Sequence, residues 1–150
     1  MSNSGFWIQQ TEDARDLPLP AYMTPQAAGM DVYANVHEDT VIAKGGIKAI
    51  PTGIRIALPP DYEAQIRPRS GLALKHGITM INAVGTVDAD FRGEVQVLLV
   101  NLGQLDFIIR RGDRIAQMVI NQIARITWES SDSLEDTERG NGGFGHTGMS

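Results

Sequence analysis

Cysteine is absent from this chain. Without thiolates there is no disulfide framework and no zinc site of the thiolate kind, which removes the nucleobase deaminases that hold zinc with one His and two Cys. A reducing cytosol suits such a chain. An excess of basic residues is missing too: 13 Lys and Arg stand against 18 Asp and Glu, a net charge of -5 and a pI near 5.1. General binding to a nucleic-acid backbone needs a cationic face, so phosphate recognition falls to a few placed arginines and backbone amides. Long apolar runs are lacking as well. No stretch approaches a membrane span, and Met1 to Gln10 has neither the basic start nor the apolar core of a signal peptide. The expectation is a cytoplasmic protein, with neither nucleic acid nor membrane among its partners.

Helical spacing is scarce and no internal repeat stands out; what recurs is alternation. Ile54, Ile56 and Leu58, then Val95, Val97 and Leu99, then Phe107 and Ile109, then Ile115 and Val119 around Gln117 all keep period two. Between them lie turn signals such as Lys44-Gly45-Gly46, Pro59-Pro60-Asp61 and Arg111-Gly112-Asp113. At 150 residues this predicts one all-β domain, a β-sandwich or jelly-roll-like barrel. One short helix is expected, with Ser70 as its N-cap and Gly77 as its end, placing Arg69 and Ser70 at an anion-favouring terminus. An ordinary capped helix with a surface arginine reads the same way.

The window Asn82 to Val95 concentrates charge where a structural hairpin would not. It holds Gly85, Asp88, Asp90, Phe91, Arg92 and Gly93, and an extended strand would put Asp88, Asp90 and Arg92 on one face. Alone, an Asp-x-Asp is also what a solvated loop carries. Composition changes again at Glu129, so the expected division is a barrel over 1–128 and a mobile acidic linker plus glycine-rich arm over 129–150. Within that arm Arg139 and Phe144 suit an anion clamp and a stacking ring. His37, His76 and His146 have no metal-site or nucleophile-base spacing, and no hydroxyl has a triad partner.

Five strings in order, Ala28-Gly-Met-Asp-Val-Tyr-Ala34, Pro68-Arg-Ser-Gly-Leu-Ala73, Gly85-Thr-Val-Asp-Ala-Asp-Phe-Arg-Gly-Glu94, Gly112-Asp-Arg-Ile-Ala-Gln117 and Arg139 to Gly148, make the chain resemble the homotrimeric dUTP pyrophosphatases (dUTPases) along nearly its whole length. The resemblance implies a trimer with three sites at subunit boundaries. These would hydrolyse dUTP to dUMP and pyrophosphate with Mg²⁺, keeping uracil out of DNA and supplying dUMP for thymidylate synthesis. By position, Asp88 resembles the residue that orients and deprotonates the attacking water. Arg69, Ser70, Gly71 and Gln117 resemble phosphate contacts, and Asp31 the acid that meets Mg²⁺ through a water.

The resemblance further implies that Asn82, with main chain at Thr86, Val87 and the facing strand near Gln96, holds uracil. Arg139, Phe144 and Gly145 then belong to an arm closing over the site. Uracil and cytosine reverse a donor and an acceptor, so fixed backbone groups discriminate between them. Phe91 departs from the family's usual Tyr: it keeps a wall against a ribose 2′-OH and loses the phenol. His146 replaces a residue that is small in many members. The alternatives are a dCTP deaminase of the same superfamily and a non-catalytic nucleotide-binding jelly roll.

Overall fold

The computed structural model describes residues 5–148, so the opening residues of the N-terminal reading and the last two of the expected arm lie outside it. Eleven strands form in order: β1 Trp7–Gln10, β2 Met30–Tyr33, β3 Thr40–Ile42, β4 Ile47–Pro51, β5 Ile54–Ala57, β6 Tyr62–Arg67, β7 Ile78–Met80, β8 Gly85–Val87, β9 Gln96–Asn101, β10 Phe107–Ile109 and β11 Arg114–Gln122. A 3₁₀ turn, Glu12–Ala14, follows β1, and the one α-helix among the described residues, α1, spans Ser70–His76. Pairing is antiparallel throughout, in sheets ordered β2-β11-β6-β8, β4-β9-β7, β1-β5 and β10-β3. One apolar cluster joins all four, with Val32 and Ile66 from the first, Val97 and Leu99 from the second, Ile54 and Ile56 from the third, and Ile42 and Ile109 from the fourth. This is the expected jelly-roll-like barrel. Each fully buried side chain of that size contributes about 1.5–3 kcal/mol.

Alternation marks the strands correctly but understates β11. Ala116 and Met118 are buried as well as Ile115 and Val119, because β11 runs between β2 and β6 with both faces covered. A register shift between Arg114 and Ala116 re-aims its first residue.

Two local expectations need correction. Ser70 is the first helical residue, and the N-cap position belongs to Arg69, which has extended backbone and makes no side-chain cap. Gly77 does end the helix, in the left-handed conformation, with its N–H bonded to the carbonyls of Ala73 and Leu72. A Cβ there would meet the Gly103 nitrogen at 2.6 Å, so the helix end seats directly on the β9–β10 loop. The second correction is in the window 82–95. Its extended part stops at Val87; the Phe91 N–H bonds the Asp88 carbonyl at 3.1 Å, and the chain turns there instead of lining Asp88, Asp90 and Arg92 along one face. Its flanks do pair as a hairpin requires, β7 antiparallel to β9, while β8 inside the window leaves that pair and joins β6.

The β9–β10 loop depends on Asn101, which is fully buried. Its side-chain N–H groups donate to the carbonyls of Ile42 (2.9 Å) and Leu105 (2.8 Å), and its Oδ1 accepts from the Gly103 N–H (2.9 Å). Asn101→Ala strands all three partners, each loss costing about 1–3 kcal/mol. The expected result is a urea midpoint lowered by several kcal/mol equivalent with an unchanged slope.

Candidate active site

Strand register places three distant strings side by side. Asp31 on β2 stands opposite Gln117 on β11, and Gln117 stands opposite Arg67 at the end of β6. Two residues further on, Arg69 turns back over this row. Its Nε lies 3.4 Å from Asp31 Oδ1, while Arg114 Nη1 lies 3.1 Å from Oδ2. Arg69 Nη1 also donates to the Arg114 carbonyl at 2.9 Å, closing the ring. Asp31 is 8% exposed, and a carboxylate so buried requires paired cations. Two guanidiniums around one carboxylate leave one positive charge in excess, which suits a phosphate chain. Beneath them Gly29 makes room for Gln117: a Cβ on Gly29 would stand 2.7 Å from Gln117 Oε1. Ser70 and Gly71 are exposed on the first turn of α1.

The other expected residues lie elsewhere. Asn82 turns its amide towards Gly85, 3.3 Å from where a Cβ would be. Thr86 is exposed opposite Gln65, and Val87 is buried opposite Ala64. Asp88 is exposed just past β8 and, among the described residues, has no ion-pair partner within 4.0 Å. Phe91 is 44% exposed, its ring covering Gly93. Gln96 opens β9 opposite Pro51, in a different sheet from β8, so it is not the ladder partner of Thr86 and Val87.

Asp31 and Asp88 therefore sit at opposite edges of the sheet β2-β11-β6-β8. With strands about 4.8 Å apart, a rise of about 3.4 Å per residue and an axial offset along β6, they are roughly 15–20 Å apart within one chain. Among the described residues the tail makes no hydrogen bond or ion pair to either group. Arg139 Nε donates to the Gly142 carbonyl at 2.9 Å, and Phe144 and Gly145 are exposed at φ 50 and 84. Its hydrogen bonds are local turns.

Arg114 and Arg111 escaped the sequence reading. Arg114 had a signal, since it stands three residues before Gln117 in the Gly112-Asp-Arg-Ile-Ala-Gln string. Arg111 is a staple: it donates to both Asp16 oxygens (3.2 and 2.6 Å), to Asn35 Oδ1 (2.6 Å) and to the Asp13 carbonyl (2.6 Å). The Arg111 hydrogen bond holds Asp16 below the usual carboxylate range, and Thr11 and Asn35 do the same for Asp13. Both acids have lowered folded values, so their stabilisation is present above about pH 3.8 and is lost as pH falls through those values. Asp16→Asn should flatten that acid limb in a thermal-melt series below pH 4, where the wild type keeps it.

Among the described residues no group of three or more His, Cys, Asp or Glu is placed to hold a metal. One buried carboxylate beside a phosphate cradle does fit Mg²⁺, which is commonly held by one or two carboxylates together with substrate phosphates.

The sequence profile of the dUTPase family matches residues 15–148. The deoxyuridine 5'-triphosphate nucleotidohydrolase of Thermoanaerobacter sp. (strain X514) is 60% identical over 142 residues, covering 95% of this chain and 96% of that one. The enzyme of the same name from Rickettsia canadensis is 54% identical over 149 residues, covering 99% and 100%. Among solved structures, the dUTPase of Staphylococcus bacteriophage 80alpha with dUPNHPP superposes with a TM-score of 0.87 at 20% identity, covering 97% of this chain and 99% of that one. At that identity the likeness speaks for the fold.

Proposed function

Because the chain belongs to the dUTPase family and hydrolyses dUTP to dUMP and pyrophosphate, we propose that each active site is built between copies of a homotrimer. One copy supplies the cradle Asp31, Arg69, Ser70, Gly71 and Gln117, another the Asp88 window, and an arm closes over both. The observation that supports this most is the separation just described: cradle and water-orienting acid lie at opposite edges of one sheet, and the tail touches neither. An apolar groove of about 380 Å³ lined by Phe6, Tyr22, Met30 and Met118 offers a face for subunit packing.

In this reading Arg69 and Gln117 hold the triphosphate, with the Ser70 and Gly71 amides turned to the same oxygens. Asp31 keeps Arg69 aimed and is also the contact through which Mg²⁺, held mainly by the triphosphate, would meet the protein. That ion would supply charge neutralisation and a better leaving group. Asp88 accepts a proton from the water facing the α-phosphorus. With an ordinary carboxylate as base, alignment contributes more than basicity. Asn82 and the main chain at Thr86 and Val87 read uracil, Phe91 walls off a 2′-OH, and Gln96 borders the slot from the next sheet. Phe144 stacks on the base, Arg139 reaches the γ-phosphate, and Gly145 lets the backbone approach closely.

The division into a barrel over 1–128 and an arm over 129–150 is supported by where contacts end. β11 stops at Gln122, Arg125 is anchored to the Pro60 carbonyl, and 124–141 are exposed throughout. No described helix is long and apolar enough to cross a membrane, and the cytoplasm is the proposed compartment. Relatives named as nucleotidohydrolases at 54–60% identity set the deaminase alternative aside.

The deciding assay measures pyrophosphate release side by side from dUTP, UTP, dTTP and dCTP. Expected is turnover of dUTP with kcat/KM lower by about a hundredfold or more for the others, and lowest for dCTP, which would leave buried polar groups unpaired. Equal use of UTP would remove Phe91 as a sugar wall, and ammonia from dCTP would restore the deaminase.

A further inference from the structure

The outer face of the β1–β5 ribbon carries a groove that none of these roles uses. It runs from Arg92, past Trp7 and Ala57, over Gln9 and Arg55, to Thr11 and Arg15, as two adjoining hollows of about 260 Å³ each that share Gln9 and Arg55. Gln9 and Arg55 are cross-strand partners at its centre. Arg15, Arg55 and Arg92 are all exposed, and among the described residues none has a carboxylate within 4.0 Å. Glu12 is the one acid in the lining. Arg92 Nη1 donates to the Ala89 and Phe91 carbonyls, which fixes its head at the groove's end without neutralising it; in a chain of net charge -5, three guanidiniums with no carboxylate partner among the described residues call for an anionic occupant.

The chain carries one. Glu129, Asp132, Glu135, Asp136 and Glu138 fall within ten residues just ahead of Arg139. Every residue from 129 to 138 is exposed, so the segment does not lie on its own chain's groove. Extended, it reaches up to about 33 Å, while the ribbon from Trp7 to Thr11 is about 14 Å long. Arg92 also stands four residues from Asp88, so a linker laid in the trough would arrive beside the window that the arm must cover.

We propose that the acidic linker 129–138 of one copy docks in the Arg15–Arg55–Arg92 groove of a neighbouring copy, steering the arm towards the site to which that neighbour contributes Asp88. This rests on the shared-site reading given above, and it assigns the linker a binding role that is separate from the Arg139 and Phe144 contacts.

The absence of native cysteine makes the test direct. Full-length chains carrying Gln9→Cys are mixed with tagged, heavier chains carrying Asp132→Cys, Glu135→Cys or Asp136→Cys, refolded together and oxidised. At least one pair should give a mixed-mass disulfide about tenfold above a Lys48→Cys control. Adding Arg15→Gln and Arg55→Gln, or raising salt to about 1 M, where the Debye length is about 3 Å, should lower the yield several-fold. Control-level yield from every pair would overturn the proposal. So would a disulfide within one chain in the doubly substituted protein, or retention of a single-stranded oligonucleotide by the groove without any mixed disulfide. If the mixed disulfide forms but deleting residues after Glu138 leaves activity intact, docking stands and the catalytic role of the arm falls.

Discussion

An Asp88→Asn chain is expected to release pyrophosphate from dUTP on the order of 10²- to 10⁴-fold more slowly than the parent, with KM nearly unchanged. The substitution is nearly isosteric, and Asp88 is exposed with no ion-pair partner within 4.0 Å among the described residues. It should therefore leave folding untouched, and thermal melts of the two chains should coincide. What changes is the ability to accept a proton from a water held in line. Steady-state kinetics with Mg²⁺ saturating separates the outcomes: a fall in kcat alone assigns Asp88 to the chemical step, whereas a rise in KM alone would make it a binding residue. An unchanged kcat would remove it from the mechanism.

The second large effect belongs to the tail. A chain ending before Arg139 should keep its melting temperature, because the described hydrogen bonds of 139–148 are turns within the tail itself or to Thr137. It should nevertheless lose about 10- to 150-fold in kcat/KM, the equivalent of one charge-assisted contact of about 1.5–3 kcal/mol. Loss of the Phe144 stack adds to this. The two defects sit on different copies in the shared-site reading, so they should complement. Trimers refolded from a mixture of Asp88→Asn chains and truncated chains are expected to recover a measurable fraction of wild-type kcat, since some sites then receive an intact arm and an intact carboxylate. A mixture no better than either parent would confine each site to one chain.

How much of this was legible in the sequence depends on how local the signal was. Ile54, Ile56 and Leu58 alternate and are buried, and Gly77 ends the helix. Both follow from steric preferences acting over a few residues. Ser70 looked like a cap because its hydroxyl suits that role, but the chain leaves β6 extended through Arg69, and the tertiary path fixed the start one residue earlier than propensity suggested. The charged window misled for a similar reason. Asp88, Asp90 and Arg92 alternate like a strand, yet the ladder with β6 ends at Val87 opposite Ala64 and the chain turns between Asp88 and Phe91, although β6 itself runs on to Tyr62.

The meeting of Asp31 with Gln117 and Arg114 could not be read from spacing at all, because it depends on the pairing register between strands more than eighty residues apart. Ordered strings implied that these residues belong to one site. Only the ladder explains how a single carboxylate comes to hold two arginines. Arg111 was overlooked for the opposite reason: its neighbours Gly112 and Asp113 read as an ordinary turn, and its partners Asp13, Asp16 and Asn35 lie at the far end of the chain.

The bare backbone at Gly29 has a consequence for the row of side chains above it. Because an added methyl would collide with the Gln117 amide oxygen, that position works as a shim under the Gln117 side chain. A small side chain inserted there would tilt the amide by a fraction of an ångström. The row formed by Asp31, Gln117 and Arg67 would then shift through a residue that carries no side chain of its own.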